Sequence, residues 1–139
     1  MDIHKRYIDG ALRRQAEILE DPSTNYRATL FDMIFMQLHA IDQQGASARV
    51  FFREIRHLGE ERLAEIIPKR NQFRANLEML LQKGVELGEF QKKLNVKIIA
   101  LGILGLTNWS YQWFHPDGEL NDREVTEVFV HMVLQGIER

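Results

Sequence analysis

Cysteine is missing from this chain altogether. Its absence excludes disulfides, thiolate metal sites and a cysteine nucleophile, and it fits a reducing compartment. Charge of one sign is also lacking: 18 Lys and Arg stand against 20 Asp and Glu, a net −2. No overall field therefore draws the chain to nucleic acid. Long apolar runs are missing too. The longest, Ile98 to Leu106, falls far short of the ~20 residues that span a bilayer. The opening MDIHKRYIDG has no apolar stretch of the kind a signal peptide needs. These absences lead us to expect a cytoplasmic protein that does not enter a membrane.

Catalytic patterns are equally scarce. There is no Gly-rich phosphate loop and no nucleophile elbow. Among His4, His39, His57, His115 and His131, no two stand three or four residues apart, the spacing that puts two metal ligands on one helix face. His57 with Glu60 and Glu61 is the nearest metal-like grouping, and a solvated surface explains it better. No catalytic residue, metal or cofactor is expected, and the chain does not read as an enzyme.

What is present is helical periodicity. At 139 residues, 45% apolar and 27% charged, the chain is long enough for one domain with its own core. Ile3, Tyr7, Ala11, Leu12, Ile18 and Leu19 recur at helical spacing. Asp21-Pro22 would end that helix and open the next. The second helix carries a wide stripe of Leu30, Phe31, Ile34, Phe35, Leu38 and Ile41, and should be mostly buried.

A short third helix follows to Gly59. A fourth runs through Pro68, which should kink it. Gly88 reads as a left-handed helix stop. Asn95 should cap a fifth helix, Val96 to about Phe114, and Asn121 with Glu124 a sixth. No strand alternation and no internal repeat appear. The expectation is all-α, six helices, residues 1–139 as one domain.

The stretch Gly102 to Leu120, GILGLTNWSYQWFHPDGEL, reads as the organising one. It holds both tryptophans, Trp109 and Trp113, four residues apart and so on one helix face. Gly102 and Gly105 sit inside an apolar helix, where each costs about 1 kcal/mol against alanine. They allow close helix packing, or leave room for a ligand beside Trp109, whose fluorescence would then report binding. Asn108 would need a partner if buried, from another helix or from a ligand.

Arginines interleave with glutamates on the third and fourth helices, which suits a solvated face. Arg53 and Arg74 nonetheless adjoin Phe52 and Phe73 and suit a pocket rim facing an anion. Leu77 shares the stripe of Phe73. The candidate ligand-binding set is thus Phe52, Arg53, Phe73, Arg74, Leu77, Gly105, Asn108, Trp109 and Trp113. Val125, Val128, Phe129, Met132 and Val133 would leave an apolar stripe on a monomer, the kind of patch that marks an interface.

The runs FFREIRHLGEERL, RNQFRANLEMLLQKGVELGEF, LGILGLTNWSYQWFHPDGEL and VTEVFVHMVLQGI resemble the C-terminal domain of TetR-family transcriptional regulators. They look most like the branch that responds to acyl-CoA thioesters in lipid or sterol degradation. The most specific parts are the G-x-x-x-G-E-F at Gly84 to Phe90 and the N-W-x-Y-x-W-[FY]-x-P-x-G at Asn108 to Gly118.

The resemblance implies an effector-binding domain of a repressor, sensing an acyl-CoA or fatty acid. It implies a homodimer whose last two helices pair with their copies as a four-helix bundle. The first helix, within residues 1–20, would be the connecting helix to a helix-turn-helix domain. That DNA-binding domain precedes the connecting helix in the family and is not represented here, so these residues alone should not bind an operator. The alternatives are a dimerisation module with a filled core and, more distantly, an enzyme.

Overall fold

Helix α2, Tyr26–Gln43, is the element on which the others rest: it touches α1 (Ile3–Glu20), α3 (Gly45–Glu54), α4 (Glu60–Glu86), α5 (Val96–Trp109) and α6 (Asp122–Ile137). The computed structural model describes residues 3–20, 25–115 and 117–137. Short 3-10 turns at Ile55–His57 and Ser110–Gln112 follow α3 and α5. Among the described residues there are six α-helices and no strand, which agrees with the all-α expectation. Leu30, Ile34 and Leu38 of α2 are at most 1% exposed. The organising role therefore belongs to α2. The more apolar α5 lies at the flank, with Ile98, Leu101 and Trp109 in the open.

The helix starts follow from local chemistry. Asp21 and Pro22 lie outside the described residues, and the cap of α2 is Asn25, whose Oδ1 accepts the Ala28 N–H at 2.8 Å. Asn95 caps α5 as expected, accepting from the Ile98 N–H at 3.2 Å. The capping box of α6 is reciprocal. The Glu124 N–H donates to Asn121 Oδ1 at 2.8 Å, and the Asn121 N–H donates to Glu124 Oε1 at 3.0 Å. Helix α4 continues through Pro68. The carbonyl deprived of a donor there is that of exposed Ala64, which water can serve.

Helix α5 is shorter than its periodicity suggests and ends at Trp109. The Thr107 and Ser110 hydroxyls donate back to the carbonyls of Ile103 (3.2 Å) and Leu106 (2.8 Å). Such bonds compete with the helical ladder, and the chain tightens into the 3-10 turn. Trp113 consequently leaves the face of Trp109 and meets Phe129 of α6 edge-on, at 6.0 Å between ring centres. Pro116 lies outside the described residues. The turn it was expected to begin is closed by Gly118 N–H donating to His115 O at 2.9 Å.

The G-x-x-x-G-E-F stretch proves to be a folding corner. Gly88 has φ 82, the left-handed conformation that ends α4. The N–H groups of Glu89 and Phe90 donate to Gly84 O at 2.9 and 3.1 Å, and Phe90 is fully buried against Gly84. The Glu89 carboxylate reaches back to the start of α2 and accepts from the N–H groups of Tyr26 (3.0 and 3.1 Å) and Arg27 (3.3 Å). An anion at a helix N-terminus satisfies orphan donors and opposes the helix dipole. Glu89→Ala should cost about 1.5–3 kcal/mol, as for a charge-assisted bond, and Glu89→Gln less. Urea unfolding checks this; unchanged midpoints would contradict the capping role.

Candidate ligand cavity

A cavity of about 250 Å³ opens between α1, α2, α3, α4 and α5. Helical spacing delivers its walls. Tyr7, Ile8 and Ala11 come from α1, and Met36, Ala40 and Ile41 from α2. Phe73 comes from α4, and Leu101, Leu104 and Gly105 from α5. The α3 side is aromatic. Tyr7 stacks on Phe51 at 4.9 Å and meets Phe52 edge-on at 5.7 Å. Phe52 in turn stacks on Tyr111 at 5.4 Å. Such contacts hold a wall rigid, because each ring fixes the next.

The polar groups on this cavity are donors or neutral amides: Arg14, Arg70, Arg74, Gln37 and Asn108, with Tyr7 and Thr107. Among the described residues, no aspartate or glutamate lines it. Burial pushes the Tyr7 hydroxyl up to about 12, with nearby Arg14 pulling the other way, so the group stays protonated at neutral pH. Arg70 is exposed in part, and the burial of the rest lowers its pKa from the ordinary value. A guanidinium starts so high that it remains a cation. The Thr107 hydroxyl is spent on Ile103 O. Arg74 Nε lies 3.3 Å from Glu78 Oε2, an ion pair without hydrogen-bond geometry. An apolar chamber edged with cations can hold an apolar group joined to an anion.

Of the residues singled out from the sequence, Phe52, Phe73, Arg74, Gly105 and Asn108 come together on this cavity. Leu77 is buried in the core rather than on the wall. Arg53 is exposed and does not line the cavity. Trp109 is 61% exposed and Trp113 43%, and neither lines the cavity. The sequence reading missed Tyr7, Arg14, Gln37 and Arg70. The signal for Arg70 was there: with Arg74 it brackets Phe73 at a spacing of one helical turn. Nothing in the sequence places α1 and α2 on the opposite walls.

A separate polar cluster joins α2 to α6. His39 Nδ1 and Asp122 Oδ2 are 2.8 Å apart, and Asp42 lies close enough for the three to share one small volume. The Asp42 carboxylate also accepts from Gln43 Nε2 at 2.8 Å. Beside it the Arg123 guanidinium lies 5.1 Å from the Phe31 ring centre and 5.6 Å from that of Phe35. These contacts act as a clasp, and sequence separation hid them.

The outer face of α5 is apolar and open, and that of α6 carries two open apolar side chains among polar ones. Ile98, Gly102, Gly105 and Trp109 form one exposed stripe along α5, with Leu101 beside it. Apart from the chain neighbours and the helix's own backbone, no described atom lies within 4 Å of where a Cβ would stand on Gly102 or Gly105. On α6, Val128 and Met132 are 56% and 50% exposed. Val125 is buried, while Phe129 and Val133 are half-buried against the core.

Residues 23–137 match the family described as tetracyclin repressor-like, C-terminal domain. The HTH-type transcriptional repressor KstR2 of Rhodococcus jostii is 25% identical over 138 residues, 98% of this chain and 67% of that protein. The structure of the ketosteroid transcriptional regulator KstR2 of Mycobacterium tuberculosis is similar with TM-score 0.90 at 24% identity. That likeness covers 98% of this chain and 69% of that one. AibR, solved in complex with isovaleryl coenzyme A and operator DNA, gives TM-score 0.81 at 21% identity over 94% of this chain and 70% of that one. The chain spans about two thirds of the length of the KstR2 proteins it matches. It belongs to the tetracyclin repressor-like C-terminal domain family, whose members are transcriptional regulators and not enzymes.

Proposed function

We propose that this chain is the effector-binding and homodimerisation domain of a cytoplasmic TetR-type repressor, and that its cavity takes the acyl group of a fatty acyl-CoA or a similar hydrophobic ligand whose binding relieves DNA binding. The observation that carries the reading is an aromatic and aliphatic cavity edged, among the described residues, by three arginines and no carboxylate. At about 250 Å³ it lies just under the range of about 300–1,000 Å³ usual for whole small-molecule ligands. It therefore holds an acyl group or a small ring and leaves a coenzyme A moiety outside. AibR, whose fold this chain shares, was solved with isovaleryl coenzyme A. DNA contact belongs to a helix-turn-helix domain of the sort the KstR2 name states, and α1 is the element through which ligand state reaches it. The ligand shifts that equilibrium only by its difference in affinity for the two states.

Titration with octanoyl-CoA and isovaleryl-CoA, followed by calorimetry and thermal shift, tests the reading. Heat is the better readout, because neither tryptophan lines the cavity. Ala11→Leu adds bulk to the cavity wall from α1. It should weaken octanoyl-CoA by about ten-fold, the loss of roughly two buried methylenes, while the melting temperature stays level or rises. If neither acyl-CoA gives a saturable response with the wild type, a dimerisation module without a ligand is the better account.

A further inference from the structure

The three arginines on the cavity come from two helices that are already tied together elsewhere. Helices α1 and α4 run parallel, as their contacts show: Asp9 pairs with Lys69, and further along Gln15 Nε2 donates to Phe73 O at 2.9 Å. Gln15 Oε1 there also accepts from Asn76 Nδ2 at 2.7 Å. Along this seam Arg14 stands on α1, with Arg70 and Arg74 on α4. Glu78 pairs with Arg74. Arg14 and Arg70 have no carboxylate partner among the described residues. The seam is thus held by opposite charges at one end and amide hydrogen bonds at the other, with like charges on its cavity side.

Like charges sharing a partly desolvated space repel, and an anion between them turns that repulsion into attraction. We propose that the cavity edge is a two-helix anion site. Arg14 of α1 and Arg70 and Arg74 of α4 take the charged group of the ligand, so that the charge, and not the acyl chain, sets how firmly α1 lies on α4. This rests on the ligand reading above and adds to it the chemical class of the polar end, a carboxylate or phosphate, and the regulatory step it performs. The acyl group fills a chamber built from five helices, whereas the anion bridges only the pair that includes α1. Guanidinium groups suit this work, since each offers a planar fork to either oxyanion.

The test uses the whole chain with three probes: octanoyl-CoA, octanoate and uncharged octanamide. Arg14→Gln and Arg70→Gln are compared with Arg53→Gln, an exposed arginine off the cavity. Arg74 is left intact because its loss would strand Glu78. The two seam variants should lose about ten-fold or more in affinity for at least one anionic probe, as expected for loss of a charge-assisted contact. Octanamide should bind all four proteins alike, and Arg53→Gln should match the wild type.

The two anionic probes distinguish phosphate from carboxylate as the recognised group. Amide hydrogen exchange in α1 should slow when wild type is saturated with its preferred anionic probe, and should not slow with octanamide. Equal affinity of wild type and seam variants for both anions overturns the anion site. So does unchanged α1 exchange on saturation. Octanamide binding without any anion binding would overturn the anion site and leave the cavity reading intact. No response to any probe would overturn both.

Discussion

Gly84→Ala should be among the most damaging single-methyl additions in this chain, lowering stability by about 3 kcal/mol. A Cβ at that position would stand 2.3 Å from two atoms of the Phe90 ring, where carbon atoms ordinarily sit about 3.5–4.0 Å apart. The ring has no free retreat. Phe90 is fully buried, and its own N–H donates to Gly84 O at 3.1 Å, so backbone and ring are held by the same turn. Overpacking costs about 1–3 kcal/mol, and expelling a buried phenylalanine about 3–5. The better helix propensity of alanine returns only about 1 kcal/mol. Urea unfolding of Gly84→Ala, Phe90→Leu and the double variant should show strong non-additivity, the smaller side chain relieving part of the clash. A Gly84→Ala protein within 0.5 kcal/mol of wild type, roughly the scale of a neutral surface change, would show that the corner yields.

The second large effect concerns assembly. The exposed stripe of Ile98, Gly102, Gly105 and Trp109 on α5, with Val128 and Met132 on α6, is an apolar surface interrupted by open glycines. Small residues let a facing helix approach closely, and a two-fold pairing of α5 and α6 with their copies would bury the stripe as a four-helix bundle. Wild type should therefore sediment as a dimer at micromolar concentration. Val128→Glu with Met132→Glu places four carboxylates at such an interface and should weaken association by at least ~100-fold, about 2.7 kcal/mol. Because both side chains are open to solvent within one chain, the variant's far-ultraviolet circular dichroism should match wild type. Phe129→Glu is a poorer probe, since Phe129 also meets Trp113 within the chain. A wild type that sediments as a monomer would remove the interface.

Much of this was legible in the residues because it depends on neighbours in sequence. The caps at Asn95 and Asn121–Glu124 are made by atoms three residues apart, and Gly88 stops α4 through its own φ. Aromatic–arginine adjacency, and a glycine and an asparagine within an apolar helix, made Phe52, Phe73, Arg74, Gly105 and Asn108 candidates, and tertiary packing brought them to one cavity.

What needed the tertiary structure is whatever depends on the direction a helix face points once another helix covers it. Apolarity alone made Gly102 to Leu120 look central, yet α5 is the flank and α2 the centre. A buried stripe and a stripe awaiting a second chain have the same composition. Trp109 and Trp113 separated because the Thr107 and Ser110 hydroxyls compete for backbone carbonyls, a local contest that periodicity does not register. Arg14 joined the cavity only because α1 lies parallel on α4, and Glu89 caps a helix some sixty residues away, a separation of 63 to Tyr26. The chain's own order determined its helices and the caps at Asn95 and Asn121–Glu124. The packing of those helices decided which arginines share a cavity and which apolar face is left uncovered, because both are properties of pairs of surfaces distant in sequence.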